Sequence, residues 1–107
     1  MNPTPVLNID ALRAAAGQAV GALKLLANED RLLLLCQLTQ GEQCVGELEE
    51  RLGIRQPTLS QQLGVLRAEG QVTTRREGKR IYYRVSDPRT LEVLQVLHRL
   101  YCPVETD

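Results

Sequence analysis

Residues 45–85 read VGELEERLGIRQPTLSQQLGVLRAEGQVTTRREGKRIYYRV, and the spacing of the apolar residues changes once along this stretch. Up to Gly70, leucine and valine recur every three or four residues, which predicts α-helix; beyond Gly70, apolar and polar residues alternate, which predicts β-strands. Gly53 ends the first helical segment, and Pro57 begins the second because the first turn of a helix tolerates proline. The stretch therefore predicts two short helices around a tight turn, followed by a β-hairpin that turns at Gly78.

The second of these helices has a polar surface suited to DNA. Its leucines Leu59, Leu63 and Leu66 share one face, which we assign to the core. The other faces carry short hydrogen-bonding side chains and an arginine, the residue types that contact base edges and phosphates from a helix in the major groove. The candidate DNA contacts in this segment are Gln56, Thr58, Ser60, Gln61, Gln62 and Arg67.

The hairpin holds a local cluster of positive charge. The whole chain has 13 basic and 13 acidic residues, so its net charge does not attract a polyanion. Each phosphate contact from the hairpin would add a salt-sensitive binding term that is independent of DNA sequence. Alternatively, the arginines only protect an exposed strand edge from pairing. The basic residues of the hairpin are Arg75, Arg76, Lys79, Arg80 and Arg84.

Further helices are predicted on both sides of this stretch. Apolar residues at steps of three and four predict one helix over residues 10–27, with Asp10 as its cap. Asn28 caps a second helix that runs through RLLLLCQL to Gly41, and its adjacent leucines predict burial nearly all round. A last helix opens at Pro88. It has two apolar stripes, and we expect one to pack on the domain core and the other on a second subunit.

At 107 residues, the chain is expected to form one small domain whose core would gain from dimerisation. We place this domain at residues 10–102, after an irregular leader at residues 1–9 and before a short tail at residues 103–107. No secretion signal is evident, and no apolar run approaches the roughly 20 residues that span a membrane. We therefore expect a cytoplasmic protein, in which the 3 cysteines are thiols by default.

The order helix, helix, helix-turn-helix, hairpin, helix is that of a winged helix-turn-helix, a mainly α fold with a two-stranded β-hairpin. With these motifs, residues 10–102 resemble the ArsR/SmtB family of bacterial repressors. The resemblance implies a homodimer that binds an imperfectly palindromic double-stranded DNA operator and releases it when an inducer binds. It also implies a recognition helix at residues 56–69, with Gln62 where many members have histidine, and a wing tip at residues 77–80. The candidate wing contacts are Arg75, Arg76, Lys79 and Arg80.

The metal sites of this family are incomplete in the chain. Arsenic- and cadmium-responsive members carry Cys-x-Cys at the start of the third helix, where this sequence has Cys44 followed by valine and glycine. Zinc-responsive members carry Asp-x-His and a later His-x-x-Glu or His-x-x-His along the last helix, where this sequence offers Asp87 and His98. Neither set completes a tetrahedral zinc site. We therefore predict no metal and no cofactor.

The cysteines resemble those of another branch of the family. Repressors of the BigR, SqrR, YgaV and HlyU type, which respond to sulfide, persulfide or redox state, have one cysteine in the second helix and one at the end of the last. Here LLLLCQL places Cys36 and HRLYCP places Cys102. The resemblance implies a redox switch in which persulfide, polysulfide or another oxidant bridges Cys36 and Cys102, and the dimer leaves its operator. A simple disulfide needs Cα atoms about 4.4–6.8 Å apart, whereas a sulfur chain tolerates more.

Other interpretations stay open at this point. Taken alone, Cys36 would ordinarily be a small core residue, and His98 a packing residue. One functional alternative is an architectural DNA binder without an inducer. An enzyme is not predicted, because the chain has 1 histidine, no phosphate-binding glycine loop and no paired carboxylates on a plausible cleft. The main alternative is a metal or metalloid sensor with a non-standard site built from Cys36, Cys44, Cys102 and His98.

Overall fold

The computed structural model describes residues 8–102, so most of the expected leader and the whole expected tail lie outside the described residues. The described part has the element order of a winged helix-turn-helix, in which α3 and α4 form the helix-turn-helix and β2 and β3 form the wing. The predicted fold class is therefore confirmed. The elements are α1 (Ile9–Leu26), α2 (Glu29–Leu38), β1 (Gln43–Cys44), α3 (Val45–Leu52), α4 (Thr58–Ala68), β2 (Val72–Glu77), β3 (Arg80–Val85) and α5 (Pro88–Tyr101).

Local side-chain and backbone signals set most of the helix ends. Asn28 caps α2 as predicted, because its Oδ1 accepts a hydrogen bond from the backbone N–H of Arg31 at 3.0 Å. Gly53 ends α3 as predicted, with a left-handed φ of 68°. The start of α1 differs from the prediction: Asn8 is its cap, and Asp10, the predicted cap, instead donates its backbone N–H to Asn8 Oδ1 at 2.9 Å.

The core lies between α2, α3, α4, α5 and the start of β2. The stripe of Leu59, Leu63 and Leu66 on α4 is fully buried, as its assignment to the core predicts. The expectation that α2 is buried nearly all round is wrong, because Leu33 is 41% exposed while Leu34 and Leu35 are completely buried. Four consecutive leucines point in four directions around a helix, and the other elements of one chain cover only part of that circle.

The sheet is antiparallel and has the strand order β1-β3-β2. Strands β2 and β3 form the predicted hairpin, which pairs Val72 with Val85 and Glu77 with Arg80. The sequence pattern missed β1, whose two residues pair with Tyr82 and Tyr83 of β3. Gln43 of β1 is buried, and it links neighbouring helices: its Nε2 donates to the Gln37 carbonyl at 2.9 Å, and its Oε1 accepts from Arg51 Nη1 at 2.8 Å.

Helix α1 stands away from this core. Residues 8–24 are all exposed, and Leu26 is the buried residue of the helix. Together with α5, α1 presents apolar side chains to solvent, and we call this set the apolar outer surface. No helix among residues 8–102 is long and apolar enough to cross a membrane. The apolar outer surface consists of Leu12, Val20 and Leu23 on α1 and Val93, Val96 and Leu100 on α5.

Candidate DNA interface and cysteine pair

Helix α4 turns a mixed polar and apolar face to solvent. Thr58, Ser60 and Gln61 are exposed on this helix, as is Arg67 in its last turn. The helix begins at Thr58, so Gln56 lies in the turn before it, where its Oε1 accepts a hydrogen bond from the Ser60 hydroxyl. The exposed groups keep the hydrogen-bonding capacity that base edges and phosphates require.

Gln62 is placed differently from the other candidate contacts on α4. Its side chain is half-buried, and its Oε1 accepts a hydrogen bond from Nη1 of Arg31 at 3.2 Å. The side-chain oxygen of Gln62 is therefore engaged by α2 of the same chain. The Gln62 side chain therefore has fewer free hydrogen-bonding groups for direct base contact than the sequence predicted.

Val65 is a further exposed residue of α4 that the sequence reasoning missed. Its side chain is 39% exposed and lies off the buried stripe of Leu59, Leu63 and Leu66. The valine side chain has no hydrogen-bonding group, so a pattern of polar residues does not indicate it as a DNA contact. On a helix that lies in the major groove, a valine methyl is suited to contact the 5-methyl group of thymine. In the sequence, Val65 is visible only as an apolar residue that does not fall on the helical repeat of the buried leucines.

The wing arginines fall into two classes. The guanidinium of Arg75 contacts acids of its own chain: Nε donates to Glu42 at 2.8 Å and Nη1 donates to Glu77 at 2.6 Å. The same group lies 4.8 Å from the centroid of the Tyr82 ring. The Arg75 hydrogen bond holds the pKa of Glu42 below its usual range, and the two acids raise the pKa of Arg75. The positive charge of Arg75 is therefore balanced by Glu42 and Glu77 of its own chain.

The other basic residues of the wing form no ion pair within the described part of the chain, although a hydrogen bond with Tyr82 raises the pKa of Arg80. Within residues 8–102, ion pairs join Arg51 to Glu47, Arg89 to Asp87, and Arg75 to Glu42 and Glu77. None of these pairs involves the remaining candidate phosphate contacts, which all lie exposed on or beside the hairpin turn. These residues are Arg76, Lys79 and Arg80.

Cys36 lies in α2 and Cys102 directly follows α5, and these two helices are in contact. Both cysteines are free thiols; Cys36 is half-buried in α2 and Cys102 is exposed directly after α5. Burial raises the pKa of the Cys36 thiol, and the negative charge of a Cys102 thiolate raises it further.

Cys44 lies in a different part of the domain. It is buried in β1 at the N-cap of α3, where its backbone N–H donates to Glu47 at 3.0 Å. No group of three or more histidine, cysteine, aspartate or glutamate residues suited to a metal ion occurs in residues 8–102. This finding gives no support to the alternative metal site that combines Cys44 with Cys36, Cys102 and His98.

Known proteins match this architecture over nearly the whole chain. The profile "Bacterial regulatory protein, arsR family" matches residues 28–74. The biofilm growth-associated repressor of Agrobacterium fabrum is 48% identical over 97 residues, which covers 91% of this chain and 83% of that protein. The chain belongs to the ArsR family. Its members are DNA-binding transcriptional regulators, so this ArsR-family protein is a regulator and not an enzyme.

Two further relatives of this ArsR-family protein confirm the branch that its sequence resembles. The transcriptional activator HlyU of Vibrio cholerae is 42% identical over 96 residues, covering 90% of this chain and 89% of HlyU. The crystal structure of the transcriptional repressor BigR from Xylella fastidiosa superposes with a TM-score of 0.83 at 42% identity. That match covers 92% of this chain and 100% of the BigR chain.

Proposed function

We propose that this ArsR-family protein is a homodimeric repressor that releases its DNA operator when Cys36 and Cys102 become bridged by a reactive sulfur species or another oxidant. The observation that carries the proposal is the contact between α2, which holds Cys36, and α5, which Cys102 directly follows, because a bridge needs two thiols in one neighbourhood. Relatives named as repressors, from Agrobacterium fabrum and Xylella fastidiosa, support the sign of the regulation.

The DNA contacts divide between α4 and the wing. We assign base contacts to the exposed polar face of α4 and a thymine methyl contact to Val65, because these side chains stand on the open side of the helix. Arg75 and Gln62 are engaged within their own chain, and we assign both to positioning the DNA-contacting elements. The proposed base and phosphate contacts are Gln56, Thr58, Ser60, Gln61, Val65, Arg67, Arg76, Lys79 and Arg80.

A second copy of the chain covers the apolar outer surface in this proposal. An amphipathic helix gains most of its stability by burying its apolar stripe against another element, and residues 9–24 of α1 are all exposed in one chain. Two-fold pairing through α1 and α5 buries the same surface on both subunits. The two α4 helices then bind two half-sites whose centres lie about 34–36 Å apart on a palindromic operator.

The bridging chemistry follows from the unequal exposure of the two thiols. The exposed Cys102 thiolate attacks a polysulfide, takes one sulfur atom from it and releases the shortened polysulfide. The Cys36 thiolate then attacks the Cys102 sulfur of this persulfide, and hydrosulfide leaves with the electron pair of the broken S–S bond. The cysteines are oxidised to a disulfide and the transferred sulfur is reduced. Attack on the outer sulfur has thiolate as leaving group and does not close the bridge.

The bridge acts on DNA binding through the dimer. It ties the end of α5 to α2, and α5 also supplies part of the apolar outer surface. A shift of α5 against its own domain changes the angle between the two subunits and thus the separation of the two α4 helices. Coupling of this kind between two sites in a protein is typically worth roughly 5- to 150-fold in affinity.

The test compares operator binding before and after polysulfide treatment. An operator is first selected from random DNA duplexes with the reduced wild-type protein. Wild type, Cys36→Ser, Cys102→Ser and the matched control Cys44→Ser are then titrated against it, reduced and treated, and intact masses are taken. We expect weakened binding with a bridged mass in wild type and Cys44→Ser alone. Equal loss of binding in Cys36→Ser, or a bridged wild type with unchanged affinity, contradicts the proposal.

A further inference from the structure

Arg31, in the first turn of α2, contacts two other helices at once. Its Nε donates to the Leu25 carbonyl at 2.7 Å and its Nη2 to the Lys24 carbonyl at 3.3 Å, both near the end of α1. Its Nη1 donates to Gln62 Oε1 on α4 at 3.2 Å. One guanidinium therefore joins the exposed helix α1, the cysteine-bearing helix α2 and the DNA-reading helix α4.

The α1 contacts are favourable because of where they lie in that helix. The last carbonyls of an α-helix have no amide partner within the helix and carry partial negative charge. Arg31 supplies both a positive charge and hydrogen-bond donors to this end. The planar guanidinium has donors pointing in fixed, divergent directions, whereas a lysine ammonium is a single point on a flexible stem. Lysine at this position would keep the charge and lose the three-way junction.

The contact with Gln62 bears directly on DNA reading. Gln62 follows Gln61 on α4 and is half-buried, so the bond lies in the groove between α2 and α4 and is partly shielded from solvent. It links positions that are 31 residues apart in the chain. A rotation or shift of α2 therefore pulls on α4 through this bond as well as through the leucine core.

We infer that Arg31 is a positioning residue that holds α4 at its DNA-binding angle through Gln62 and passes a movement of α2 or α1 to α4. This inference rests on the proposed function for the source of the movement, which is the bridge between Cys36 and Cys102. In this inference Gln62 forms a hydrogen bond between α2 and α4 instead of contacting DNA. The DNA-sequence specificity of α4 then depends on Arg31, which does not contact DNA.

The first test is a double-mutant cycle on the reduced protein. Arg31→Lys and Gln62→Ala are each expected to weaken binding to the selected operator by about 3- to 10-fold, and the double variant no more than the stronger single one. Arg51→Lys is the matched control, because Arg51 makes a similar bond to Gln43 that does not involve α4. Additive losses in the cycle, or an equal loss in Arg51→Lys, overturn the inference.

The second test measures the ratio of operator affinities between the reduced and bridged forms. Arg31→Lys is expected to reduce this ratio about 3- to 10-fold at an unchanged oligomeric state, a result that a merely structural role would not produce. A wild-type ratio retained in Arg31→Lys removes the proposed transmission. If wild type itself shows a ratio of one, the cysteine switch fails, and the cycle on the reduced protein still decides whether Arg31 positions α4.

Discussion

The guanidinium of Arg75 lies over the ring of Tyr82, 4.8 Å from the ring centroid. The two residues occupy paired positions on β2 and β3, and Arg75 also contacts Glu42 in the loop before β1. These contacts tie the hairpin to the body of the domain. The next residue, Arg76, is exposed and forms none of these ion pairs. Adjacent arginines on one strand therefore differ in their charge environment.

The salt dependence of operator binding is expected to separate these two arginines. Arg76→Ala removes a phosphate contact and should reduce the slope of log affinity against log salt concentration by about 1. Arg75→Ala should leave that slope unchanged, because the charge of Arg75 is already balanced by Glu42 and Glu77. Fluorescence anisotropy over a series of potassium chloride concentrations measures both slopes. Equal slopes for the two variants would show that the ion pairs of Arg75 open on DNA.

Two residues of α4 are expected to differ sharply in their effect on folding. Leu63 is 1% exposed, so Leu63→Ala should lower the free energy of unfolding by about 2–5 kcal/mol through the cavity it leaves. Val65 is 39% exposed, and Val65→Ala should change stability by no more than about 0.5 kcal/mol. Urea denaturation at one fixed protein concentration checks both values. A large loss in Val65→Ala would place Val65 in a packed interface.

Val65 is also expected to recognise thymine. Replacing each thymine of the selected half-site by deoxyuridine removes only the 5-methyl group. At one position this change should weaken wild-type binding by about 4-fold and leave Val65→Ala binding unaffected, because burying one methyl-sized apolar group is worth about 0.8 kcal/mol. Gln61→Ala serves as the control and should keep the wild-type sensitivity to the methyl group. Identical deoxyuridine profiles for wild type and Val65→Ala would refute the contact.

The pH dependence of Cys36 alkylation should show the effect of Cys102. Only the thiolate is alkylated by iodoacetamide, and the pKa of Cys36 is raised by burial and by the Cys102 charge. Alkylation of Cys36 should therefore begin at a higher pH than alkylation of a free cysteine. In Cys102→Ser the charge is removed and burial persists, so the midpoint should move down and still exceed that of a free cysteine. Peptide masses from neutral to alkaline pH give the rates.

A charge on the apolar outer surface is expected to separate the subunits. Leu100 is 64% exposed on α5, and Leu100→Glu would place a carboxylate in the proposed interface. Sedimentation should then show a monomer, and operator affinity should fall because one subunit reads only one half-site. Gln95→Glu, an equally acidic change at an exposed residue of the same helix outside the apolar outer surface, should remain dimeric. A dimeric Leu100→Glu protein would move the interface elsewhere.

The sequence predicted those features of the fold that arise from neighbouring residues. The cap at Asn28, the stop at Gly53 and the buried leucines of α4 depend on local chemistry and helical period. Strand β1 has only two residues and shows no period, so its pairing with β3 was not visible. Leu33 looked like a core residue because the number of leucines in α2 says nothing about how many neighbours surround the helix.

The site was less predictable than the fold, for a related reason. The partners of Arg75 and Gln62 are Glu42 and Arg31, which are 33 and 31 residues away in the chain, and only folding brings each pair together. The pairing of Cys36 with Cys102 came from family resemblance rather than from the residues themselves. Exposed apolar residues such as Val65 carry no hydrogen-bonding signal, so a search for polar contacts passes over them.

The exposure of α1 has a consequence for how much of this protein a cell must make. Residues 8–24 are all exposed in one chain, and in the proposed dimer a second chain supplies most of the packing that keeps α1 helical. Folding and pairing then form one equilibrium, and the melting temperature rises with protein concentration. At low protein concentration, the amount of dimer that can bind both half-sites of an operator grows with the square of the concentration of the chain. Synthesis rate and proteolysis thereby become inputs to the regulator, alongside whatever chemistry its thiols detect.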